Sequence, residues 1–134
     1  MTVGLSTANL ANGWANSIRG NSNGTSFTAP SVLAVKLHTG DPGSAGTSNA
    51  SSVTTRNAIG FGAASSGAIS LASTVSWTSW AGTNGEVVSH ISVWDSTTAG
   101  NFLFSVALTA SKTVNTGDTL TLSTLTFTFS PLAA

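Results

Sequence analysis

Apolar and polar residues alternate most clearly in the last third of the chain, residues 86–129. Three runs rich in Val, Ile, Leu, Phe and Thr are separated by two polar interruptions, DSTTAGN at 95–101 and NTGD at 115–118. Period-two alternation bounded by Gly, Asn and Asp predicts antiparallel strands joined by hairpins. In the middle run, Phe102, Phe104, Val106 and Leu108 share one parity. A strand there, bonded along both edges, is expected to form the centre of a sheet. Residues 86–95 are apolar on both parities, with Val87, Ile91 and Val93 against Val88, His90 and Trp94. This is the pattern of a strand covered on both faces. The last run changes phase: Leu120 and Leu122 have one parity, and Leu125, Phe127 and Phe129 the other. A regular strand cannot bury both sets against one layer. The expectation is a β-bulge near Ser123-Thr124, or else a strand that crosses from one sheet to another.

Upstream, residues 6–19 hold the one credible helix. Ser6 or Thr7 can cap it, and Leu10, Trp14 and Ile18, with Ala11 beside them, make an apolar stripe. Gly13 costs such a helix about 1 kcal/mol relative to Ala, so it needs tertiary support. Trp14 is its expected anchor on the sheet, and Gly20 suits its end. A polar loop (20–30) leads to a strand at 31–39, with Leu33, Val35, Leu37 and Thr39 facing the core and Lys36 and His38 on the polar side. The longest interruption is 40–55, opening on a Gly-Asp-Pro-Gly turn; a loop of this length is functional or mobile. Residues 56–61 read as a short strand, and 68–77 alternate again. A loop at 78–85 then carries Trp80, either exposed as a binding residue or, the favoured reading, folded back over the core. Six or seven strands and one helix define a mainly β fold. The expected architecture is a small antiparallel β-sandwich with one short N-terminal helix, in a single domain spanning 1–134 with C-terminal hairpins at 86–129.

Charge changes the picture more than size does. Only 6% of the 134 residues are charged, four basic and four acidic, for a formal net charge of zero. An ordinary soluble domain carries about 25%. Solubility must come from hydroxyls and amides, since Ser and Thr make up roughly a third of the chain. So little self-repulsion permits association. No basic patch points to nucleic acid, no apolar stretch is long enough to span a membrane, and no signal peptide is expected. Without cysteine there is no disulfide framework or thiolate nucleophile. His38 with Asp41, His90 with Asp95, and Glu86 are the few groups that could do chemistry. Two histidines without a spacing that links them to carboxylates make neither a metal set nor a catalytic triad. Asp41, Asp95 and Asp118 read more simply as turn formers. No catalytic residue, cofactor or metal ligand is assigned.

Several stretches, in this order, carry a resemblance: LAVKLHTGDPG at 33–43, RNAIGFGAA at 56–64, HISVWD at 90–95, GNFLF at 100–104 and KTV at 112–114. Together the chain resembles a family of small virion proteins of tailed phages, especially those of actinobacteria. Its members are variously labelled minor capsid, head decoration, minor tail or tail fibre proteins. Lys36-Leu37-His38 stands where aromatic-containing versions are common. The resemblance implies a non-enzymatic structural part, assembled in the host cytoplasm and placed in the virion. As a capsid decoration protein it would be a homotrimer on the capsid exterior, cementing the major capsid protein by noncovalent contacts. The alternative is a tail or tail-fibre subunit contacting a host glycan, and the third reading is a cell-wall enzyme. Candidate assembly contacts are Asp41, Pro42 and Gly43 at the start of the long loop, Arg56, and Trp80.

Overall fold

The computed structural model describes residues 3–19 and 25–130. The expected helix end at Gly20, part of the 20–30 loop and the tail at 131–134 lie outside the described residues. A π-helical turn, Thr7–Ala11, runs directly into helix α1, Asn12–Ile18. Eight strands follow among the described residues: β1 (Leu33–His38), β2 (Asn57–Ile59), β3 (Ala68–Ser70), β4 (Val75–Trp77), β5 (Glu86–Trp94), β6 (Phe102–Val114), β7 (Leu120–Leu122) and β8 (Thr126–Thr128). The fold is mainly β and antiparallel, as the alternation predicts. It has two more short strands than the lower count, because 68–77 breaks into β3 and β4 and 119–129 into β7 and β8.

β2, β1, β5 and β6 form a four-stranded sheet in that order; β3 pairs with β8 and β4 with β7 as two separate ribbons. Val35 lies opposite Val93, and Leu37 opposite Ile91, across the β1–β5 pair. Val93 and Ile91 in turn oppose Phe104 and Val106 of β6. This apolar face and the two ribbons enclose the main core, where Val35, Leu37, Val88, Ile91 and Val93 pack with Trp77, Trp80, Val114 and Leu125. The phase change of the last run is a change of sheet. Leu120 and Leu122 belong to the β4 ribbon and Phe127 to the β3 ribbon. Leu125 between them is buried, and its carbonyl accepts from Leu71 N at 2.8 Å. The crossing, not a bulge, reconciles the two parities.

Three expectations are corrected by non-local pairing. First, β5 is the central strand with partners on both sides, whereas β6 lies at the edge of the sheet. Among the described residues, one end of the outer side of β6 is covered by the chain's own N-terminal segment: Ser6 N donates to Leu103 O at 2.6 Å and Ser105 N to Gly4 O at 2.9 Å. Second, Val88 is core and Val87 is exposed, the reverse of the parity reading. The β5–β6 register shifts between Val88 and His90, and this irregularity moves the inward set by one residue. Third, His38 is fully buried, not on a polar face, because residues 40–51 fold back over the far side of the sheet. Thr39 N donates to Asn49 O and Ser51 N to Leu37 O, at 2.8 and 3.0 Å. At Gly46, with φ +70°, a Cβ would fall within the Phe102 ring, so only glycine lets the loop lie this close.

The helix docks against the β3–β8 ribbon. The Trp14 ring meets Phe127 and Phe129 at centroid distances of 5.5 and 5.2 Å, and Phe27 at 5.9 Å. Ser6 is the cap, its Oγ accepting from Asn9 N at 3.3 Å. Gly13 is explained by contact: a Cβ there would sit 2.8 Å from Phe27 N, in the path of the returning chain. The stripe ends early, since Ile18 is 86% exposed.

Candidate functional site

The sequence's candidates separate into three groups once placed in the fold. Asp41, Pro42 and Gly43 make the turn that starts the 40–51 cover. Asp41 Oδ1 accepts from Gly43 N at 2.9 Å, and Gly43 takes the left-handed φ of +73° that this turn requires. Pro42 is fully buried, so it offers no surface to a neighbour. Under this loop, His38 Nδ1 lies 2.8 Å from Ser48 O, a carbonyl that can only accept. That places the ring proton on Nδ1 and leaves Nε2 to accept from Ser92 Oγ at 2.7 Å. Ser92 Oγ in turn accepts from Trp94 Nε1 at 2.8 Å. The chain Trp94 to Ser92 to His38 to Ser48 is complete with a neutral imidazole. Burial holds the His38 pKa below its ordinary value, with the Lys36 and His90 charges pushing the same way against the bonds to the Ser48 and Asn49 backbone.

Trp80 belongs to the second group. It is 2% exposed and its Nε1 donates to Thr83 O at 3.2 Å. The ring is core and presents no surface as a binding residue or an assembly contact. Beside it, Glu86 receives Ser52 N at 3.0 and 3.2 Å and the Ser52 hydroxyl. Burial pushes the carboxyl up, but hydrogen bonds from the Ser51 and Ser52 side chains and the Ser52 amide outweigh it and hold the pKa below its usual range. Glu86 is thus a tether for the far end of the 40–55 segment, which this pairing and the Ser51 bond to Leu37 O keep against the sheet.

Arg56 heads the third group. Its guanidinium carbon stands 3.7 Å from the centroid of the Trp94 ring. Nη1 donates to Ser96 O at 3.3 Å and to Ala99 O. The side chain clamps the 95–101 hairpin loop to the sheet. Within that loop Asp95 is closed by Asn101, whose backbone N meets Oδ1 at 2.6 Å and whose Nδ2 meets Oδ2 at 2.8 Å. Asp118 does the same at the second interruption, accepting from Asn115 N at 2.9 Å. His90 lies away from Asp95, bonded through Nδ1 to Ser89 Oγ at 2.8 Å. Among the described residues no three His, Asp or Glu gather as a metal set.

The feature the sequence reading passed over is an open polar cleft of about 410 Å³ between the helix and the 95–101 loop. Asn9, Asn12 and Asn16 of the helix line it together with Asp95, Asn101 and the 25–28 segment, which includes Phe27. Asn9 Nδ2 is anchored on Phe102 O at 3.0 Å and Asn16 Nδ2 on Thr25 O at 3.1 Å. The signal was present: three asparagines recur along a short helix whose other polar positions are Ser and Thr.

What the fold and these groups define is a structural β-domain, with its buried polar atoms spent on holding loops to a sheet. A family model described as "Podophage GP4 fiber I protein gp80" matches residues 5–130. The chain belongs to that family of phage fibre proteins, a virion structural family. No curated protein matches it.

Proposed function

We propose that the chain is a non-catalytic fibre subunit, carried on the outside of the phage particle and associating with copies of itself as a homotrimer. The observation that carries this reading is the fibre-family match over nearly the whole chain. The charge balance supports association: a formal net charge of zero leaves little repulsion between copies. Exposed Leu5, Val32, Val87 and Phe129 add apolar contact area on an otherwise hydroxyl-rich surface. The two ionisable groups best placed for chemistry, His38 and Glu86, already serve as hydrogen-bonded struts. A structural role needs only shape and area, and at ~25 cal/mol per Å² a modest apolar patch on each subunit supplies several kcal/mol.

The capsid-decoration reading uses the same physical properties at a different address, with the major capsid protein as partner. Gold-labelled antibody against this chain, applied to intact virions, separates the two. Label along fibres is expected; label spread over the head would replace the fibre reading with decoration. Light scattering on the purified chain tests the oligomer, and a monomer at high concentration would remove self-association from the proposal.

A further inference from the structure

We propose that the cleft between the helix and the 95–101 loop is a binding site for a neutral saccharide. The argument starts from hydrogen-bond capacity. A carboxamide carries two N–H donors and an oxygen that accepts twice. The anchoring bonds of Asn9, Asn16 and Asn101 each use one N–H. Their oxygens accept no hydrogen bond among the described residues, and Asn12 makes none with its side chain. Four carboxamides therefore face one cleft with acceptors open and several donors spare. Three of them are held at the other end by the protein, so little ordering remains to be done on binding.

This set of groups matches vicinal hydroxyls, each of which donates once and accepts as well. Neighbouring acid–amide pairs, such as Asp95 with Asn101, suit the same pattern. The half-buried Phe27 supplies an apolar patch for the C–H face of a pyranose ring. The cleft volume is within the range of small-ligand sites. Charge sets the class further. Among the described residues Asp95 is the one charged residue lining the cleft, and its carboxylate disfavours phosphates and acidic sugars. No cationic side chain among the described residues is there to hold them.

The helix itself gives the second reason. Asn is a poorer helix former than Ala, yet it occupies Asn9, Asn12 and Asn16 in a stretch of twelve residues, Thr7–Ile18. The bonds of Asn9 and Asn16 account for two of them. Asn12 has no such role among the described residues, and a ligand facing it would supply one.

The test is a nitrogen-15 NMR titration of the full chain with the methyl glycosides of glucose, galactose, rhamnose and N-acetylglucosamine, run beside sialic acid. Millimolar binding of at least one neutral glycoside is expected. Shifts should concentrate on the side-chain amides of Asn9, Asn12, Asn16 and Asn101 and on backbone amides 25–28. Asn12→Ala should weaken that binding about tenfold while the unperturbed spectrum stays that of the folded chain. The proposal is overturned if none of the four produces shifts, if the shifts fall elsewhere, if sialic acid binds more tightly, or if Asn12→Ala binds as well as the parent. The measurement uses the isolated chain, so its failure leaves the fibre reading standing, and label over the head leaves this one standing.

Discussion

Two polar regions of this molecule are built from similar small residues and end up doing opposite things. Under the 40–51 loop, every hydrogen-bonding atom of His38 and the Trp94 indole N–H is matched to a partner inside the protein. Between the helix and the 95–101 loop, each anchored carboxamide gives one N–H to the fold, and its oxygen accepts from no described residue. The first region is closed, and its polar atoms pin one layer of chain onto the sheet. The second is open and keeps capacity in reserve. The kind of residue does not separate a structural network from a binding surface; the unspent donors and acceptors do.

The closed region is the easier to break. Gly46→Ala adds a Cβ that meets the Phe102 ring and forces a left-handed φ on a residue with a side chain. Overpacking and backbone strain together should remove about 3 kcal/mol of stability. Urea unfolding would read this as a lower midpoint with an unchanged slope. A variant as stable as the parent would mean that the loop does not press on Phe102. Ser92→Ala is the next largest. It deletes the hydroxyl shared by His38 Nε2 and Trp94 Nε1, leaving two buried polar atoms without a partner. The expected loss is about 2 kcal/mol.

Acid probes the same network without mutation. The folded His38 pKa lies below its ordinary 6.5. Above pH 6.5 the ring is neutral in both states, and no pH dependence arises from it. Below 6.5 the unfolded chain takes up the proton first, so stability falls, by at most about 1.4 kcal/mol per pH unit, until the folded pKa is reached. Glu86 adds a second, lower window. Its folded pKa is held below 4.5, so the stability it supplies is present above that value and is lost as pH falls further. The unfolding free energy of the parent should be lower at pH 5.5 than at pH 7.5, by at most about 1.4 kcal/mol. The difference should vanish in His38→Gln, and equal values in the parent would contradict a buried neutral imidazole.

How far the chain could be read in advance follows from the range of the interactions. The strand character of 86–94, its central position and the discontinuity at 123–125 are local patterns of parity, and each is present in the fold. The edge position of β6 was not readable, because alternation in 102–108 says which face is apolar and nothing about how many partners the strand has. Val87 and Val88 exchanged places because one irregularity at Ser89 shifts every parity on its side. His38 looked polar-facing because its cover, 40–51, arrives from outside the strand. Trp80 could be argued in either direction, and the size of its apolar surface decided it. The asparagines of the cleft were visible as residues, but their convergence with Asn101 depends on the helix lying over the β5–β6 loop, a contact some ninety residues apart in sequence.

The smallest expected effect is the one that most sharpens the contrast. Asn12 lines the open cleft and donates to no other described residue. Replacing it with Ala removes a side chain with no structural partner from a helix interior, where Ala is favoured by about 0.5 kcal/mol. Asn12→Ala should therefore leave stability unchanged or raise it slightly, in the same urea experiment where Ser92→Ala loses about four times as much in the other direction. Both changes delete one small polar side chain, and both positions lie within the same folded unit of sheet and helix. A loss of more than about 1 kcal/mol in Asn12→Ala would show that its carboxamide holds the helix in place. The two regions would then be variants of one structural network, and the division between spent and reserved hydrogen bonds would fail.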